Sequence, residues 1–171
     1  INAKKYIGYL PEHPPLYSDM TVKEYLNFVF NLKQAADKVS DRKKHISDIC
    51  ELVGITHVYG RMTRNLSKGY RQRVGLAQSL IGDPEVLILD EPTVGLDPIQ
   101  IVEMRNVIKD LGKKRTVILS SHILPEVQAV CERIILINDG LLIADDTPEN
   151  LTRSVAADRR LQLRVAGENS D

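Results

Sequence analysis

The chain has 171 residues, 43% of them apolar and 27% charged, with 23 basic against 23 acidic side chains and a formal net charge of zero. Such a length and composition suit one soluble globular domain with a real core, too short for two large ones. The balanced charge argues against a dedicated nucleic-acid binder, which carries a basic excess or stripe, and no apolar run reaches the roughly 18 residues a bilayer-crossing helix needs.

The chain opens on Ile1-Asn2-Ala3-Lys4-Lys5, with no charged-then-apolar leader, so no signal peptide is expected. A first residue other than Met places the expected true start upstream. Tyr6 to Leu10 reads as a short strand stopped by Pro11. A Pro-rich loop from Glu12 to Asp19 leads to Thr21-Val22-Lys23-Glu24, a capping box that opens an amphipathic helix. A second helix is expected near Asp41 to Val53, ended by Gly54, and a third from Leu66-Ser67 to about Ile81. Val86-Leu87-Ile88-Leu89-Asp90 is a continuous apolar run, the pattern of a strand buried on both faces of a parallel sheet.

A helix from about Pro98 to Leu111 follows, then a strand (Thr116 to Ser120), a helix (Leu124 to Cys131) and a strand (Arg133 to Asn138). Asp139-Gly140 marks a hairpin into Leu141 to Ala144. This alternation implies an α/β fold. Beyond Arg153 the chain turns polar, although Leu161 to Val165 alternates like a strand; residues 154–171 are expected to be a tail or the start of a small extension. Cys50 and Cys131 have no CxxC partner and read as small apolar side chains.

Three motifs carry chemistry. Asp90 and Glu91 emerge together at the C-terminal end of a buried strand, the edge where open α/β sheets bind ligands. Adjacent residues on a strand point opposite ways, so Asp90 is suited to hold Mg²⁺ through water and Glu91 to face an attacking water. The alternative is a strand ending in an acidic turn. Leu66-Ser67-Lys68-Gly69-Tyr70-Arg71-Gln72-Arg73 puts Ser67 at a helix N-cap and a glycine beside it, an arrangement whose free N–H groups suit an anion. The alternative is that Ser67 only starts a helix. Ser120-Ser121-His122 ends another buried strand, and His122 suits a γ-phosphate and the catalytic water, or a purely structural place.

Asp90 follows Ser67 by 23 residues and His122 follows Glu91 by 31, with Val94-Gly95-Leu96-Asp97 between. In this order and spacing, residues from about 6 to 152 resemble the ATP-binding-cassette (ABC) ATPase family. The resemblance makes Leu66 to Arg73 the signature motif, Val86 to Glu91 the Walker B strand with its catalytic glutamate, Gly95-Leu96-Asp97 the D-loop, His122 the switch histidine and the loop beginning at Glu12 the Q-loop. It implies a P-loop NTPase-type, mostly parallel sheet with an inserted helical subdomain. Residues 1–153 would be a fragment of that domain, helical over about 12–82 and catalytic over 83–153.

By the same resemblance Glu91 and His122 are catalytic. Ser67, Lys68, Gly69, Gln72, Asp97 and Glu12 touch ATP, and Asp90 and Glu12 hold Mg²⁺. The implied partners are a transmembrane permease and a second ATP-binding subunit in a head-to-tail dimer, with no nucleic acid, at the cytoplasmic face of the membrane. Lys68 and Tyr70 stand where the family has glycine and glutamine, and Glu12 where it has glutamine. Glu12-His13-Pro14-Pro15-Leu16-Tyr17 resembles the ABC-2-type exporter branch.

No G-x-x-x-x-G-K-[ST] occurs in the chain. The family places this phosphate-binding loop, and an adenine-stacking aromatic residue, upstream of the Q-loop, so both are expected before Ile1 and the chain alone is expected to be inactive. The alternatives are a soluble ABC-type ATPase acting on DNA or the ribosome, and a non-catalytic fragment that binds a partner.

Overall fold

The computed structural model describes residues 3–157; the alternating stretch Leu161 to Val165 lies outside the described residues. The chain separates into two compact units, Ile1–Val130 and Cys131–Asp171.

In the first unit, β1 (Ile7–Leu10), β2 (Val86–Asp90) and β3 (Thr116–Ser120) form a parallel sheet in the order β1-β2-β3. Its register sets Leu10 beside Leu89 and Asp90 beside Ser120. Between β1 and β2 run α1 (Val22–Leu32), α2 (Arg42–Leu52) and α3 (Lys68–Leu80); α4 (Pro98–Gly112) and α5 (Leu124–Val130) flank β3 in sequence. Each of the first four helices starts on a side-chain cap. Thr21 and Glu24 exchange the two bonds of a capping box, while Asp41, Ser67 and Asp97 accept from Lys44, Tyr70 and Gln100 backbone N–H groups. Each cap satisfies one of the N–H donors a helix start leaves unpaired.

The helix α3 packs on β1 and α4 on β3. Leu10, Leu87 and Leu89 are fully buried in one core with Leu26, Leu76, Met104 and Ile108. The other side of the sheet departs from the expectation of a strand buried on both faces. Ile7, Tyr9 and Ile118 are exposed, and Val86 and Ile88 only half-buried, because among the described residues of this unit no helix covers that face.

Two details position the loops. A Cβ at Gly75, in the middle of α3, would collide with the Pro14 ring and Leu10, so this glycine lets the Glu12–Tyr17 loop seat on the helix. At the far end of α3, the Lys33 ammonium donates to the carbonyls of Gln78, Ser79 and Ile81 at 3.0, 3.2 and 3.3 Å, capping carbonyls that a helix end leaves free. Burial pushes the Lys33 pKa down to about 8.

The second unit holds β4 (Ile134–Asn138) and β5 (Leu141–Asp146), an antiparallel hairpin, followed by α6 (Pro148–Ala157). Asp139 and Gly140 both take positive φ, 47° and 75°, as a two-residue hairpin of the I′ kind requires. Arg133 clamps Asp145 through Nε and Nη2 at 2.6 and 2.7 Å. The sequence reading did not include α6, although Thr147-Pro148 is a cap followed by a first-turn proline, and Thr147 Oγ1 accepts from the Asn150 N–H at 3.4 Å. Among the described residues no helix is long and apolar enough to cross a membrane.

Candidate active site

The parallel pairing of β2 with β3 brings the C-terminal ends of the two strands side by side. Ser120 Oγ donates to Asp90 Oδ1 at 2.6 Å. The next residue, Glu91, leaves the strand with φ 45°, a left-handed backbone uncommon for a residue with a Cβ and concentrated at functional sites. Its N–H still donates to the Ser120 carbonyl at 3.0 Å, while its side chain turns to the neighbouring loop. Glu91 Oε1 accepts from the His122 backbone N–H at 2.9 Å and from His122 Nδ1 at 2.7 Å, and Oε2 accepts from Ser121 Oγ at 3.3 Å.

In this contact Nδ1 carries a proton and donates to the carboxylate oxygen. The hydrogen bond to Glu91 raises the imidazole above its ordinary pKa, Glu91's charge adds to this, and the charges of Glu12 and Glu126 contribute further. Glu91 is largely enclosed, its side chain 16% exposed, while that of His122 is 71% exposed. Glu12, on the loop after β1, therefore lies within electrostatic reach of the Glu91–His122 pair; it also sits 3.8 Å from His13.

The second group of sequence-selected residues gathers at the start of α3. Ser67 Oγ accepts from the Tyr70 N–H at 3.4 Å. The Lys68 side chain lies across Gly95, where a Cβ would collide with it, and the Gln100 amide lies against Gly69 in the same way. Gly95 has φ 70° and Asp97 caps α4, so Lys68, Gly95, Asp97 and Gln100 form one surface, with Gly69 buried beneath the Gln100 amide. Gln72 differs: one turn further along α3, it is only 2% exposed and, among the described residues, its Nε2 has no partner. Tyr70 bonds His57 Nε2 at 2.8 Å, the rings edge-to-face with centroids 5.1 Å apart. Among the described residues no hydrogen bond or ion pair joins this surface to the Asp90–Glu91–His122 group.

The described residues contain no group of three or more His, Cys, Asp or Glu side chains able to hold a metal. A single carboxylate such as Asp90 nonetheless suits Mg²⁺, which takes one or two carboxylates and completes its shell with phosphate oxygens and water. Sequence reasoning missed a buried polar cluster behind the pair. Thr93 Oγ1 donates to Glu126 Oε2, and Arg105 Nη2 lies 3.5 Å from Glu126 Oε1. Its one signal was an acidic residue within the short helix that follows His122.

A family model described as ABC transporter matches residues 2–94, more than half of the chain and through both carboxylates. The chain belongs to the ABC transporter family. This ABC domain is 39% identical over 141 residues to the bacitracin transport ATP-binding protein BcrA of Bacillus licheniformis, covering 81% of the chain and 44% of that protein. To the linearmycin resistance ATP-binding protein LnrL of Bacillus subtilis it is 34% identical over 168 residues, 98% of the chain and 53% of that protein.

Among solved structures, cbiO1 from Clostridium perfringens, part of the ABC transporter complex cbiONQ, superposes with a TM-score of 0.77 at 27% identity over 91% of the chain and 62% of that protein. The α/β fold with its parallel sheet is the P-loop NTPase architecture that the sequence led one to expect. The ABC domain spans about half the length of these curated relatives.

Proposed function

We propose that the complete protein is the ATP-hydrolysing subunit of a membrane transporter of the exporter branch. The observation that carries this reading is the Glu91–His122 pair, hydrogen-bonded at 2.7 Å beside Asp90 at the C-terminal edge of a parallel sheet. The reaction is ATP + H₂O → ADP + phosphate. Glu91 orients the attacking water and takes its proton. His122, held at Nδ1 by Glu91, which favours the imidazolium, donates from its protonated Nε2 to the γ-phosphate. Asp90 would hold Mg²⁺ through water, and the ion would supply positive charge to the phosphates. Glu12 approaches the same nucleotide from the loop after β1. Catalysis is mainly positioning and charge stabilisation, so side chains already fixed before ATP arrives matter most.

The start of α3, where Ser67 and Lys68 are exposed beside Asp97 and Gly69 is buried under the Gln100 amide, supports a second role: closing on ATP held by another ATP-binding subunit in a head-to-tail dimer. Tyr17 (50% exposed) and Phe28 (36% exposed) are stacked edge-to-face at 5.4 Å beside the Glu12 loop, and they support docking of a transmembrane permease there, which would hold the subunit at the cytoplasmic face of the membrane. Likeness to BcrA and LnrL supports the exporter branch. We further infer that the domain divides functionally into a helical part over about 12–82 and a catalytic part over 83–153. The 171-residue chain alone hydrolyses no ATP, because it contains no G-x-x-x-x-G-K-[ST] loop to cradle the phosphates.

The test is phosphate release by the full-length protein purified with its permease, with and without Mg²⁺, beside the 171-residue chain. Mg²⁺-dependent turnover is expected from the complex and none above background from the chain. A full-length complex that binds ATP and never hydrolyses it would overturn the reading.

A further inference from the structure

The buried cluster behind the catalytic pair has no place in the reaction described above. Glu126 and Thr93 are each 6% exposed, and a carboxylate that deep persists only when paired and hydrogen-bonded. One oxygen of Glu126 accepts from the Thr93 hydroxyl and the other faces the Arg105 guanidinium at 3.5 Å. The three residues come from three segments. Thr93 lies two residues after Glu91, in the turn where the Val94 N–H donates to the Glu91 carbonyl at 3.2 Å. Glu126 lies four residues after His122, in the first turn of α5, where its N–H donates to the Ile123 carbonyl at 2.9 Å. Arg105 lies on α4, the helix that Asp97 caps. One side chain thus fastens together the segments that carry Glu91, His122 and Asp97.

We propose that Glu126 is a positioning residue: through Thr93 it holds the Glu91 turn at a fixed distance from the His122 loop, and through Arg105 it ties both to the helix that begins at Asp97. This rests on the reading of Glu91 and His122 as the hydrolytic pair. An apolar residue at 126 would fill the space but would not fix direction, whereas a carboxylate with one oxygen on a hydroxyl and the other on a guanidinium sets the angle between two loops. The pair needs such a brace because Glu91 sits on a left-handed backbone at the end of its strand, and reacting groups displaced by about an ångström lose on the order of a hundredfold in rate.

The test uses the full-length protein with its permease. Thr93→Val removes the hydroxyl while keeping the shape, Thr93→Ser keeps the hydroxyl, and Glu126→Gln removes the charge. Thr93→Val and Glu126→Gln are expected to lower kcat by about ten- to a hundredfold, with KM for ATP within about twofold of wild type, and Thr93→Ser to restore most of the rate. In a Glu91→Gln background, adding Thr93→Val is expected to cause no further loss, since its effect runs through Glu91.

A Thr93→Val protein with unchanged kcat, or one whose melting temperature falls while its rate per folded molecule stays at wild type, overturns the proposal. So does a loss in the Glu91→Gln background as large as in wild type. If Glu126→Gln does not fold, the Thr93 valine and serine variants decide alone. Glu91→Gln separates this inference from the reading beneath it: if that change leaves hydrolysis intact, the hydrolytic pair is wrong, and if it abolishes hydrolysis while Thr93→Val does nothing, only the brace is wrong.

Discussion

Replacing Glu91 by Gln isolates chemistry from architecture, because the structure shows what the amide inherits. Glu91 Oε1 accepts two bonds, from His122 N at 2.9 Å and Nδ1 at 2.7 Å, and an amide oxygen in the same place accepts both. The amide NH₂ then takes the place of Oε2 beside Ser121 Oγ, 3.3 Å away, and the hydroxyl turns to accept from it. Three contacts survive and only their charge assistance is lost, a stability cost of about 1 kcal/mol. If Glu91 is the base proposed above, the proton acceptor is gone, and a positioned base contributes about 10²–10⁴-fold, which is roughly 3–5 kcal/mol of barrier. The assay is phosphate release by the full-length complex, with ATP affinity and melting temperature measured on the same preparations. The expected result is hydrolysis down by at least two orders of magnitude, ATP affinity retained, and an ATP-bound dimer accumulating. Turnover within about threefold of wild type would refute the assignment of Glu91 as base, and so would a rate loss explained by lost ATP binding.

Other changes probe the rest of the site. Ser67→Asp should leave melting unchanged, since Asp caps a helix as well as Ser, yet lower ATPase activity at least about tenfold by setting a carboxylate against the partner's triphosphate; a stable, fully active variant would leave the α3 start without a role in ATP closure. Gly95→Ala meets both φ 70° and the Lys68 side chain, so chemical denaturation should show a loss of about 1–3 kcal/mol, whereas an unchanged midpoint would show that Lys68 moves aside freely. Lys33 has its pKa lowered by burial to about 8 from 10.5, so between those values the unfolded chain binds more protons and stability rises with pH. The gain, up to about 3 kcal/mol, should be absent in Lys33→Met when urea midpoints are compared from pH 7 to pH 10; parallel pH curves for the two proteins would contradict it.

Much of the fold is legible because each element is specified locally. The Thr21-Val22-Lys23-Glu24 box forms both of its bonds, β2 occupies the predicted Val86 to Asp90, and Asp139-Gly140 makes the expected hairpin turn. Burial was less legible. The run Val86 to Leu89 looks alike on both faces in sequence, but only Leu87 and Leu89 are fully buried, since burial depends on what covers the sheet and not on the strand.

Within the site, residue types and their order pointed to Asp90, Glu91 and His122, and the pairing of strand ends explains why: parallel register carries residues far apart in sequence to one edge. Thr93, Arg105 and Glu126 were not legible, because their meaning is a three-way contact with no fixed spacing. Gln72 reads as part of the α3 motif yet is buried, because the helical period turns it inward.

The left-handed backbone at Glu91 also limits which sequences evolution or a mutational library can place there. Asn, Asp and Gly tolerate φ 45°, whereas Val, Ile and Thr meet a steric penalty before any question of chemistry arises. A saturation library at this codon therefore sorts into two populations: one that folds and reports on proton transfer, and one of β-branched replacements whose silence says nothing about catalysis. On the proposed reading, a homologue with Asn or Gly at this position would lose its base while keeping its turn.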